Sequence, residues 1–163
     1  MKKVVVLLIM LSCICSFQVS HAQIDKRIDS FDESIIMISY NKIGNIDSLQ
    51  LDKEIKNNEE VIYTLLLSSE SNKDEKMYTK DDAMIKIDGV IYNVKVISNN
   101  YRHFEYTGDL VNVKVDINQE IINKLKSSNK VSMRFYHRNG LANTLDIPDE
   151  ILNEWKQVIE MEK

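Results

Sequence analysis

Apolar and polar residues alternate along much of the chain, and the alternation predicts strands. The clearest case is AMIKIDGVIYNVKVI, residues 83–97, where two alternating runs meet at Asp88-Gly89. That dipeptide favours a two-residue type I′ loop. Such a loop pairs Ile87 with Val90 and Ile85 with Tyr92. It places Ile85, Ile87, Val90, Tyr92, Val94 and Val96 on one face, and Lys86, Asn93 and Lys95 on the other. SIIMISY (34–40) reads as a further strand. VIYTLLLS (61–68) is apolar on both faces, as a central buried strand would be. YRHFEYTGDLVNVKVDI (101–117) reads as a strand pair about Thr107-Gly108-Asp109, with Val111, Val113, Val115 and Ile117 turned inward. Two stretches break the pattern. Residues 44–60, GNIDSLQLDKEIKNNEE, read as a long polar connection with at most a short turn of helix. Residues 70–82 are dense in charge and read as a solvated loop.

At Asn118 the period changes from two to that of a helix. Asn118 suits an N-cap, Ile117 and Ile122 can form a hydrophobic staple, and Ile121, Ile122 and Leu125 make one stripe. The chain ends on PDEILNEWKQVIEMEK. There Pro148 suits the first helical position, and Ile151, Leu152, Trp155, Val158 and Ile159 form a second stripe. Between the helices lies VSMRFYHRNGLANTLDI (131–147). A two-residue Asn139-Gly140 loop would put Leu141 and Leu145 on the charged face. A three-residue loop, Arg138-Asn139-Gly140, pairs Met133 with Leu145 and keeps Val131, Met133, Phe135, Leu141 and Leu145 together, with Gly140 in the left-handed position. The expected fold is α+β and β-rich. It is an antiparallel sheet or β-sandwich-like domain with a short helix near 118–127 and a C-terminal amphipathic helix over 148–161. No repeat or change of composition divides residues 23–163, which read as one domain.

The first 22 residues change the cellular picture. Lys2 and Lys3, an apolar run from Val4 to Leu11, and small residues at Ser20 and Ala22 make the three-part pattern of a secretory signal peptide. Cleavage near Ala22 would leave 141 of the 163 residues, a normal size for one domain. A second reading is a lipobox at Met10-Leu11-Ser12-Cys13 with a lipid anchor on Cys13; Met10 departs from that pattern. Both cysteines lie in this segment, so the remaining chain has no thiol chemistry and no cysteine-ligated zinc. The formal charge is −4, and losing Lys2 and Lys3 makes it −6 because the segment holds no acid. That balance argues against nucleic acid as a partner. No later segment is long and apolar enough to be an integral membrane span. The expected product is exported, to the periplasm or beyond the cell. It is soluble and monomeric, with a protein as its possible partner, and the Ile-, Asn- and Lys-rich composition suggests a bacterial source.

Little in the chain points to catalysis. There is no glycine-rich phosphate loop, no Gly-x-Ser-x-Gly elbow and no His-Glu-x-x-His helix. No cofactor is implied. Beyond the leader the histidines are His103 and His137, and a zinc site would need both with Glu105 or Asp109. His103 could act as a general base beside Glu105 or Asp109, but a polar strand face explains it better. The better candidates for binding are Arg134, Tyr136 and Arg138 on the outward face of the 131–137 strand and its turn, with Arg102 and His103 in the neighbouring hairpin; Arg and Tyr recur at binding hot spots. The favoured reading is a non-catalytic exported module that binds a protein or surface component. Two alternatives stand beside it. One is a small hydrolase or lyase using His103 or His137 with a carboxylate. The other is an inhibitor or immunity protein for an exported toxin.

Overall fold

The structure is a computed structural model that describes residues 23–43, 46–71, 78–104, 108–137 and 142–162. The proposed leader, with Cys13, lies outside them. So do Glu105 and the turn residues Arg138, Asn139 and Gly140. Nine strands follow one another: β1 (Gln23–Ile28), β2 (Ile35–Ile43), β3 (Ile46–Ile55), β4 (Val61–Ser71), β5 (Tyr78–Ile87), β6 (Val90–Phe104), β7 (Gly108–Ile117), β8 (Val131–His137) and β9 (Ala142–Ile147). Helix α1 (Gln119–Ser127) stands between β7 and β8, and α2 (Asp149–Glu160) closes the described chain. The strands form one antiparallel sheet in the order β1-β2-β3-β4-β7-β6-β5-β8-β9, curved into a half-barrel. Of the two architectures expected, the curved sheet with the last helix packed on it is the one adopted.

Alternation builds the core. Leu49, Leu51 and Ile55 of β3, Tyr63, Leu65 and Leu67 of β4, and Val111, Val113, Val115 and Ile117 of β7 turn inward and are buried. Ala83, Ile85 and Ile87 of β5 join Val131, Met133 and Phe135 of β8 on the same face. The stripes of the two helices cover it, with Trp155 wholly buried. Asn118 caps α1 as expected, its Oδ1 accepting from Ile121 N at 3.0 Å. Pro148 sits one position earlier than expected, as the N-cap of α2, so Asp149 and Glu150 hold the first turn.

The hairpin registers follow the turn chemistry. Ile87 pairs with Val90 and Ile85 with Tyr92. Asp88 and Gly89 both have positive φ (46° and 93°), as a type I′ turn requires. Val90 is nonetheless exposed. The Asp88 side chain also works across the sheet. Its Oδ1 accepts from Lys130 N at 2.8 Å and Asn129 N at 3.0 Å, tying the β5–β6 turn to the start of β8. In the last hairpin Met133 pairs with Leu145, the register of the three-residue loop.

Two expectations need correction, and one strand was not expected at all. Residues 46–55 are strand β3, not a polar connection. The alternation is present but interrupted at Lys53, which turns inward among the apolar positions and is buried. Its Nζ donates to the carbonyls of Ile159 at 2.8 Å and Met161 at 2.5 Å, satisfying the open C-terminal end of α2. Burial pushes the Lys53 pKa down; Lys126 adds to this and Glu162 opposes it. Residues 70–71 and 78–82 belong to β4 and β5 rather than to a loop. Residues 23–28, which carry no strong alternation, form the edge strand β1 against β2.

Candidate functional site

The two faces of the sheet divide structure from candidate function. On the inner face, the one buried carboxyl group among the described residues is Glu154 of α2. Its Oε2 accepts from Ser39 Oγ at 3.0 Å and Asn41 Nδ2 at 2.9 Å, both on β2. Asn41 Nδ2 also donates to Ser39 Oγ at 2.8 Å. This network fixes the helix on the sheet, far from solvent.

The outer face around β8 is the place where sequence candidates converge. Val131, Met133 and Phe135 are turned into the core, so Ser132, Arg134 and Tyr136 must point out. Antiparallel register sets Met84 opposite Arg134 and Lys86 opposite Ser132 on β5. Thr144 stands opposite Arg134 and Asp146 opposite Ser132 on β9. Arg134 Nε donates to Thr144 Oγ1 at 3.1 Å, and Tyr136 OH donates to Met84 Sδ at 3.6 Å. These side chains, with Ile91, enclose a groove of about 80 Å³ lined by Met84, Lys86, Ile91, Ser132, Arg134 and Thr144. Ile91 is 60% exposed. Two cations thus flank an apolar floor on a protein that is acidic as a whole. Pockets for small-molecule ligands usually enclose about 300–1,000 Å³, so this groove suits one protruding side chain better than a whole substrate.

Arg134 and Tyr136 are therefore neighbours, as the alternation requires. Arg102 and His103 are not part of the same patch. They lie at the far end of β6, where its partner is β7 rather than β5. There the register opposes Arg102 to Leu110 and His103 to Asp109. His137 ends β8 opposite Tyr78. Among the described residues no group of three or more His, Cys, Asp and Glu residues is placed to hold a metal ion. No helix among them is long and apolar enough to cross a membrane.

A second outer-face region was not legible in the sequence. A groove of about 300 Å³ is lined by Gln23, Asp25, Arg27, Ile38, Tyr40 and Gln50 of β1, β2 and β3. Arg27 Nε bonds to Asp25 Oδ2 at 2.7 Å, and Tyr40 is half exposed. Beside Ile38 in the register lies Asp52, whose Oδ1 is buried without a hydrogen-bond partner. Burial raises the Asp52 pKa, against the pull of Lys114 and Arg27. The signal was present in the outward alternation of Gln50, Asp52 and Glu54, hidden because Lys53 breaks the inward pattern.

No protein-family model matches the chain, and no curated protein is significantly similar to it. Among solved structures it is similar to the crystal structure of invasion associated protein B from Bartonella henselae. The identity is 8%, the TM-score is 0.48, and the match covers 85% of this chain and 92% of that one.

Proposed function

We propose that this chain is an exported, non-catalytic binding module that engages a protein partner through the outer face of β5, β8 and β9. The observation that carries the reading is the Arg134–Tyr136 patch. It joins exposed apolar surface at Ile91 to two cations, Lys86 and Arg134, around a groove too small for most substrates. Arginine and tyrosine beside exposed apolar residues are the usual make-up of a protein-binding hot spot. Export rests on the signal pattern of residues 1–22. On this reading the domain is released after Ala22 as a monomer.

The test is hydrogen exchange on the mature domain with and without a partner purified from the same organism. Added protection should fall on β9, which ends the sheet order among the described residues, and on the adjoining part of β8. Protection confined to β1 or to the helices would refute the assignment of this face.

One observation favours a second reading. The register sets His103 opposite Asp109 across β6 and β7. That pair is the acid–base couple a small hydrolase or lyase would need. A hydrolytic activity in the pure mature protein that is lost in His103→Ala would establish it over the binding reading.

A further inference from the structure

One rim of the half-barrel carries a feature independent of the Arg134 patch. The β1–β2 turn spans residues 29–34, DSFDES. Phe31 at its tip is 98% exposed, and Ile28 beside it is 69% exposed. A phenylalanine wholly in water is costly to leave there. A floppy loop would fold it back onto nearby apolar surface, but this loop is held open by its own hydrogen bonds. Asp29 N donates to Ser34 O and Glu33 N to Asp29 O, both at 2.9 Å. Asp29 Oδ1 accepts from Phe31 N at 2.8 Å, and Asp32 Oδ1 accepts from Ser34 N at 3.0 Å. Glu33 takes a positive φ of 58° to close the turn.

The neighbouring β3–β4 turn braces it. Asn57 Nδ2 donates to the carbonyl of Asp32. Lys56 N donates to Glu60 O and Glu59 N to Lys56 O. Val61, at the start of β4, adds a further exposed apolar side chain. Around these sit Asp29, Asp32, Glu33, Glu59 and Glu60, all exposed, against one cation, Lys56, which is already 3.3 Å from Glu60. Five acids and one base make −4. The Ser34 amide and hydroxyl hold the Asp32 carboxyl below its ordinary value, with Lys56 adding a little, so the Asp32 carboxylate itself stays charged in mildly acid surroundings.

We propose that this rim is a docking surface on which Phe31 is the anchor, and that its partner is a protein with an apolar pocket rimmed by lysine or arginine. An aromatic anchor presented on a pre-organised loop loses little conformational freedom on binding. Carboxylates around it steer a basic partner and reject an acidic one. The same collar excludes a lipid surface, since carboxylates flanking an inserted phenylalanine are repelled by anionic headgroups and costly to desolvate.

The experiment places the photo-reactive amino acid p-benzoylphenylalanine at position 31 of the full chain, in the cells that produce it. A matched chain carries it at the exposed position 95 as control. The expected result is one protein adduct specific to position 31, suppressed by 0.5 M salt, with the linked peptide mapping to an apolar pocket flanked by Lys or Arg. With that partner purified, Phe31→Ser should weaken binding at least 30-fold at an unchanged melting temperature. D29N/D32N/E33Q should slow association and flatten its salt dependence. The proposal is overturned by labelling no stronger than at position 95, by an adduct to a second copy or to lipid, or by a mapped contact without basic residues. Substituting Arg134 and Tyr136 leaves the position-31 adduct intact if the two surfaces are separate, so failure here and failure of the outer-face reading are told apart.

Discussion

Replacing Glu154 with leucine probes how the terminal helix is held. Ser39 is completely buried and Asn41 is 2% exposed, so neither can turn to water when its acceptor goes. A buried donor left without a partner costs about 1–3 kcal/mol. Two such donors give about 2–6 kcal/mol at face value. The geometry lowers this. Asn41 Nδ2 keeps its bond to Ser39 Oγ, and Asn41 Oδ1, which has no partner, can take the freed Ser39 hydroxyl. The expected loss for Glu154→Leu is therefore about 2–3 kcal/mol. The triple variant Ser39→Ala, Asn41→Leu, Glu154→Leu removes every stranded group, and should recover most of that loss, because replacing both sides of a buried polar contact by apolar groups can be nearly neutral. Urea unfolding followed by circular dichroism reads both, with an unchanged slope confirming that stability alone has moved. A single variant as stable as the parent, or a triple variant worse than the single, would refute the reasoning.

Trp155→Ala should cost about 3–5 kcal/mol, because the ring is completely buried in the core; native tryptophan emission already at the unfolded wavelength would contradict this. Asp52→Asn should stabilise the fold at neutral pH. The folded pKa of Asp52 is raised by burial, so the folded state holds the proton more tightly than the unfolded chain. Stability from this group is thus lost as pH rises from 3.8 through the folded value. The variant should gain about 0.5–2 kcal/mol at pH 7 and little at pH 3, and equal gains at both would refute the assignment. The mass of the protein recovered outside the cytoplasm should match a chain starting at Gln23; a diacyl group on Cys13 would show a lipoprotein instead.

The parts of the fold that could be read from sequence are those where one chemical rule acts alone. Asp88-Gly89 fixes a register because only a type I′ turn suits it, and Asn118 marks a helix start because its side chain can reach Ile121 N. Strand β3 was hidden because Lys53 occupies an inward position for a tertiary reason, the carbonyls at the end of α2, that no local pattern carries. Strand β1 was hidden because an edge strand with charged residues need not alternate strongly. Arg134 and Tyr136 were legible as neighbours from the pleat alone. Their groove was not, because it depends on Met84, Lys86 and Ile91 arriving from β5 and β6. Phe31 gave no signal because a single aromatic in an acidic turn has no period; only its exposure singles it out.

The affinity of the mature domain for its partner, before and after Arg134, Tyr136 and Arg138 are replaced together by Ser, tests the binding role of β8 most directly. Arg134 is exposed, whereas Tyr136 is half-buried with its hydroxyl on Met84, so the melting temperature should fall by no more than a few degrees, and binding is compared well below it. The dissociation constant should rise at least tenfold, as expected when about 1.4 kcal/mol of contact is removed. A partner that binds the triple variant as tightly as the parent would contradict a binding role for the outer face of β8.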